Sequence, residues 1–216
     1  MNRTWIAVAA AIAHSFGLAG TAAAEARDYF KVDHATLVLN LQPAAGLYSM
    51  NSDDFAAENN QFRQDSVNGN AAYLPNGKIG VGLDTEKMLY DITVGGGYLY
   101  SKAVTGPVLM GDVSVRFKIG DTLTLGPHAG PIYVSSPNWE GDSDISFSSS
   151  VGVMGGLMLT VGNFARQWSV VLSVDYLQCK LDAEDGKQWA AKEDSLDLSG
   201  IAVQLGLVFR WDRDGI

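Results

Sequence analysis

Nine ionisable residues stand inside segments that otherwise alternate apolar and small side chains: Lys78, Asp84, Asp91, Asp112, Arg116, Lys118, His128, Asp175 and Arg210. Four cations, four carboxylates and one imidazole could do two kinds of chemistry. They could pair as ions in a place that water scarcely reaches, or they could supply an acid–base centre. Acyl transfer needs a serine–histidine pair with an acid to orient the ring. His128 has serines, and Asp112 or Asp91, on its own face as candidate partners, but no spacing marks a nucleophile. His34 only opens the first predicted strand. Neither a G-x-S-x-G elbow nor an H-E-x-x-H helix occurs. Gly95-Gly96-Gly97 falls in mid-strand and not before a helix, so it is no phosphate loop. Cys179 is the single cysteine, which excludes an intrachain disulfide and leaves a structural zinc site without ligands. No catalytic, cofactor-binding or metal residue is therefore assigned, and no cofactor is expected.

The elements that carry these residues follow a period of two. Trp168, Val170, Leu172, Val174 and Tyr176 alternate with Gln167, Ser169, Val171, Ser173 and Asp175. A strand sends successive side chains to opposite faces, so each such segment has one oily and one polar or small face. Eight strands are predicted, at about 34–42, 77–85, 88–101, 107–119, 122–134, 145–161, 167–180 and 196–211. Pro127 and Pro131 each remove a ladder donor from the fifth. Tight connections at Thr85-Glu86-Lys87, Gly120-Asp121 and 162–166 alternate with longer ones at 42–76, 135–144 and 181–195, and with a modest one at 103–106. Such alternation fits an up-and-down barrel with short turns at one rim and long loops at the other.

One parity assignment sorts the aromatic residues by depth. Tyr90, Phe117, Trp168, Phe209 and Trp211 gather toward the short turns; Tyr98, Tyr100, Tyr133, Phe147 and Tyr176 gather toward the long loops. Two aromatic girdles flanking an apolar band are a membrane signature. The inside-out alternative, a soluble lipocalin-like barrel, would crowd those rings into the lumen and leave a glycine and serine face outside. The expectation is an all-β, eight-stranded antiparallel up-and-down transmembrane β-barrel. Its nine ionisable residues then line the lumen, as a salt-bridged plug or as a thin gated passage.

The N-terminus reads as a secretory signal: Arg3, an apolar run from Ile6 to Gly20, and small residues at Thr21-Ala22-Ala23-Ala24. Residues 1–24 are the expected signal peptide and 25–216 the barrel domain, placed in the bacterial outer membrane after cleavage. The net charge of −9 argues against nucleic acid as a partner. The predicted outer loops are acidic. Asp53, Asp54, Glu58 and Asp65 face only Arg63 in the first; Glu140, Asp142 and Asp144 stand beside Trp139 in the third. The fourth sets Asp182, Glu184, Asp185, Glu193 and Asp194 against Lys187 and Lys192. They read as a solvated surface, or as carboxylates bridged by divalent cations to lipopolysaccharide phosphates, or as a site for an extracellular ligand. Cys179, on the inward parity, reads as a small buried filler.

On this strand pattern, over about residues 28–211, the chain resembles the small eight-stranded outer-membrane barrels: the OmpA transmembrane domain, OmpX and the opacity-type proteins. The resemblance implies a monomeric barrel serving envelope integrity, adhesion, immune evasion or minor permeation, with lipid and lipopolysaccharide as its surroundings. No peptidoglycan-binding domain is expected after the eighth strand. Such barrels finish on an aromatic residue, whereas Trp211 is followed here by Asp212-Arg213-Asp214-Gly215-Ile216. Three roles follow as expectations: a structural or surface-interaction barrel acting through its loops, a narrow OmpW-like channel for small or apolar solutes, and, least favoured, a lipid-modifying enzyme.

Overall fold

Alternation of large apolar and small or polar residues closes into a ring. The computed structural model describes residues 32–42, 47–50, 55–66, 71–162 and 168–212. The expected signal peptide, Asp53 and Asp54, and 163–166 of the third turn lie outside the described residues. Eight long strands form the wall: β1 Val32–Gln42, β2 Asn76–Thr85, β3 Met88–Ser101, β4 Val104–Ile119, β5 Leu123–Val134, β6 Ser150–Val161, β7 Trp168–Gln178 and β8 Gly200–Asp212. Each pairs antiparallel with the next, and β8 returns to β1 with Leu37 opposite Trp211 and Leu41 opposite Leu207. Closure removes both free edges of the sheet.

The two faces separate as parity demands. Ile79, Val81, Ile92, Val94, Leu109, Val113, Val151, Leu157, Val174 and Leu205 point outward and are each more than two-fifths exposed. The lumen positions between them are buried. Inward glycines let the strands lie close. A Cβ on Gly126 would stand 2.7 Å from the Arg116 Cα and on top of the Val115 carbonyl, so nothing larger fits there. At the β4–β5 turn, Gly120 takes φ +64°, a conformation costly for side chains with a Cβ.

Both prolines of β5 leave their mark on one side only. Pairing with β6 runs unbroken from Ser150–Val134 to Val161–Leu123. Pairing with β4 is interrupted opposite Pro131 and again opposite Pro127, although both strands are described throughout. Each ring removes the N–H that a β4 carbonyl would have accepted.

Four expected boundaries need correction. The sixth strand begins at Ser150, not at 145; Ser146–Phe147 is a separate short strand paired with Lys180–Glu184. The seventh stops at Gln178, and the eighth begins at Gly200, with Ser195–Asp197 apart from it. The fourth starts at Val104, which turns the modest 103–106 loop into a tight turn. Ser101 Oγ holds that turn, accepting from Val104 N–H (2.8 Å) and donating to Val104 O (2.7 Å).

The three long loops fold over one rim of the barrel. Ala57–Asn59 pairs with both Gln64–Asp65 and Trp189–Ala191, joining the first loop to the fourth. Phe55, Trp139 and Phe147 meet with ring centroids 5.3 to 5.9 Å apart, joining the first to the third. Beneath this cap, Leu99, Val108, Met110, Ile132, Val134, Met154 and Leu177 fill the adjoining part of the lumen.

Candidate functional site: the lumen and its cap

Every one of the nine ionisable residues lies on an inward position, and the barrel brings them into three connected groups. Nearest the short turns, Lys118 Nζ donates to Asp84. Next, Asp91 on β3 accepts from both Arg116 on β4 and Arg210 on β8. Arg116 reaches on to Thr160 Oγ1 (2.6 Å) and Arg210 to Thr36 Oγ1 (3.3 Å), which ties β1, β3, β4, β6 and β8 together. Midway along the barrel, Asp112 holds Lys78 Nζ (3.4 Å) and His128 Nδ1 (2.9 Å). His128 Nε2 lies 2.5 Å from Asp175 Oδ1, an ion-pair distance off the line of a good hydrogen bond. Asp175 also accepts from Ser173 Oγ (2.9 Å) and Gln204 Nε2 (2.7 Å), and Asn76 Nδ2 donates to Gln204 Oε1 (2.7 Å).

The four cations fall on three of the four carboxylates, Asp91 serving two of them, and the fourth acid, Asp175, meets the imidazole, which is set between it and Asp112. Unpaired, an enclosed charge costs several kcal/mol. Lys78 and Arg116 keep only about 1% of their surface, so both are enclosed within the wall. Beside the ionic layer, Val38, Met158, Val171 and Val208 close the far wall. Toward the cap, seven apolar side chains, among them Leu74, Leu99, Ile132 and Leu198, line a cavity of about 10 Å³, the room of roughly one water.

This geometry bears on the acyl-transfer arrangement. Both ring nitrogens of His128 face carboxylates, and no hydroxyl is bonded to either among the described residues. A serine nucleophile would need one of those nitrogens as its base. Ser114 instead donates to Asp91 and Ser173 to Asp175.

The aromatic residues divide. Tyr90, Phe117, Trp168, Phe209 and Trp211 lie on the outward face toward the short turns, with the last two rings stacked at 6.0 Å. Tyr98, Tyr100, Tyr133 and Tyr176 lie outward toward the cap. Phe147 does not. It is 5% exposed and packs inside the cap against Phe55 and Trp139, because its short strand has left the wall.

Several loop carboxylates are engaged within the cap itself. Asp65 Oδ2 accepts from Trp139 Nε1 and Ser143 N–H, both at 2.8 Å. Burial pushes the Asp65 carboxyl up, but these hydrogen bonds outweigh it and hold it below its ordinary 3.8. Glu58 pairs with Lys192 (2.9 Å), Glu140 accepts from Thr105 Oγ1, and Asp144, Asp185 and Glu193 accept from backbone N–H groups. Among the described residues, no three His, Cys, Asp or Glu side chains gather where they could hold a metal ion. Cys179 is 2% exposed in the apolar cluster under the cap. These internal partners were not legible in a loop sequence; the signal that could have found them is the apolar residues Phe55, Trp139 and Phe147 in otherwise polar stretches.

A closed strand ring, a lipid-compatible exterior and an ion-paired interior define a small transmembrane β-barrel. No family model matches the chain, and no curated protein matches it in sequence. Among solved structures, the chain is similar to Neisserial surface protein A at 10% identity and TM-score 0.41, covering 82% of this chain and 97% of that one. It is also similar to the outer membrane protein AlkL at 11% identity and TM-score 0.44, over 84% of this chain and 92% of that one. The toluene transporter TodX of P. putida is similar at 14% identity and TM-score 0.32, over 83% and 59%.

Proposed function

We propose that the protein is an outer-membrane barrel with a structural and surface-interaction role, exported by its N-terminal signal and acting through the folded cap over its loop end. The observation that carries this reading is the filled lumen: Lys78 and Arg116 are enclosed and paired, with the apolar layer and cap above them. An eight-stranded ring leaves room for little more than its own side chains. The cap, not a pore, is then the part that meets the outside. Lipid and lipopolysaccharide surround a monomer, and an extracellular ligand meets the loops. No catalytic role is assigned to His128, whose ring is spent on Asp112 and Asp175. Planar bilayers containing the folded chain are expected to stay electrically silent; steady unitary conductance would overturn the reading.

A narrow passage for small apolar solutes is the second reading, favoured by one observation. The capward part of the lumen is lined by apolar side chains around a small cavity. Proteoliposomes should then take up an apolar fluorescent probe faster than protein-free vesicles, and Ile132→Trp should slow that uptake.

A further inference from the structure

One large side chain on the cap packs against little among the described residues. The strands 57–59 and 64–65 form a hairpin closed by Asn59 N–H donating to Arg63 O (3.1 Å) and Phe62 N–H donating to Asn59 O (2.9 Å). Asn59 Oδ1 tightens the loop by accepting from the N–H groups of Gln61 and Arg63, both at 2.9 Å. Three residues, Asn60-Gln61-Phe62, make the bend. A three-residue hairpin loop puts its last residue in the left-handed region, where glycine serves best. This chain places Phe62 there, at φ +57°. A bulky residue in that region is strained, and the ring is 84% exposed. Neither the strain nor the bare ring helps the fold.

The mount is stiff. Strand 57–59 also pairs with 189–191, and Asp65 at the root of the hairpin is held by Trp139 and Ser143. Pre-organisation of this kind cuts the ordering cost of binding. The tip also differs from its surroundings in charge. From Asn59 to Gln64 there is no carboxylate, while Arg63 adds an exposed cation to a cap in which carboxylates outnumber lysines. Glu58 beside it is already paired with Lys192.

The tip is convex, and that selects the partner. Sites for sugars and other small molecules are concave, so a protruding ring needs a partner that yields around it. A phospholipid surface does so: its headgroup layer accepts an aromatic ring, and its phosphates accept from arginine. The acidic remainder of the cap repels an anionic surface. We propose that Phe62 and Arg63 form a docking finger for a zwitterionic phospholipid surface facing the cap, a bilayer other than the one the barrel spans. This rests on the reading that the cap stands outside the spanned membrane.

The full chain in nanodiscs, mixed with phosphatidylcholine vesicles and separated by flotation, tests it. The wild type is expected to float with the vesicles, and added phosphatidylglycerol to weaken the association. Loss of the ring in Phe62→Ala should weaken binding roughly tenfold or more; Phe62→Trp should retain it, and Arg63→Gln should weaken it severalfold. Phe62→Gly should lose binding while its melting temperature holds or rises, because glycine takes the same φ without strain. No flotation by the wild type, equal flotation by Phe62→Ala, or tighter binding to anionic vesicles or to immobilised heparin would overturn the proposal. So would a melting temperature lowered by Phe62→Gly, which would mean that the ring packs. Failure to enter nanodiscs at all would instead sink the membrane-barrel reading and this proposal with it.

Discussion

Asp91 and Arg116 stand on neighbouring strands and close on each other inside the barrel, with 7% and 1% of their side chains open to solvent. The pair is not isolated, since Arg210 shares the same carboxylate from across the β1–β8 closure. The two arginines therefore depend on one acid.

That asymmetry predicts unequal mutants. Asp91→Asn leaves two enclosed guanidinium groups facing a neutral amide and should destabilise the barrel by about 3–5 kcal/mol. Arg116→Met leaves Asp91 with Arg210 and should cost less. Urea unfolding in lipid or detergent reads the order, and equal losses would contradict the shared-acid arrangement.

The outward face makes a second prediction. Leu157 lies midway along β6 and is 57% exposed. If that exposure is to hydrocarbon, Leu157→Arg should cost about 2–4 kcal/mol, as for a cation at the bilayer midplane. A soluble barrel would accept it with little change. Unfolding from vesicles against unfolding from plain buffer separates the two.

Acid should loosen the cap before the wall. The folded-state pKa of Asp65 is depressed, so its contribution is complete above the ordinary value of 3.8 and fades as pH falls through the lower folded value. The near-ultraviolet circular dichroism of Trp139 is expected to titrate below that point, while strand signal persists. Asp65→Asn should remove the titration and weaken the cap by about 1 kcal/mol at neutral pH. A cap signal insensitive to acid in the wild type would count against the Asp65 clamp.

Gly126 supplies a test of assembly. Alanine there would drive a methyl group into the Val115 carbonyl and the Arg116 Cα. Gly126→Ala should lower the yield of the compact, heat-modifiable form on gels, whereas Ala129→Ser at an outward position of the same strand should not.

Much of this was open to reading in the chain itself, and the reason is parity. A residue such as Asp175 between Val174 and Tyr176 has only one face available once the oily side is assigned, so the inward set followed from alternation alone. Which acid meets which base did not follow, because the shear between strands decides it: Asp91 lies opposite Ser114, yet bonds Arg116. Phe147 shows the limit. Its parity matched the outer girdle, but Ser148 and Ser149 separate it from the wall strand that starts at Ser150, and the segment pairs instead with Ala183 and Glu184. The cap escaped notice for a related reason: short strands of two or three residues have too few positions to display a period.

Prolines 127 and 131 have a mechanical consequence. The interrupted ladder between β4 and β5 lies directly across the ring from the β8–β1 junction, and it divides the wall into two half-shells of four strands. Backbone carbonyls without donors in a hydrocarbon setting are a fault line. A barrel pulled or thinned by its bilayer should part there first, splitting at the midpoint of its own polypeptide like a husk along its suture, with the ionic knot of Asp91, Arg116 and Arg210, which ties β1, β3 and β4 to β6 and β8, as the last stitch between the halves.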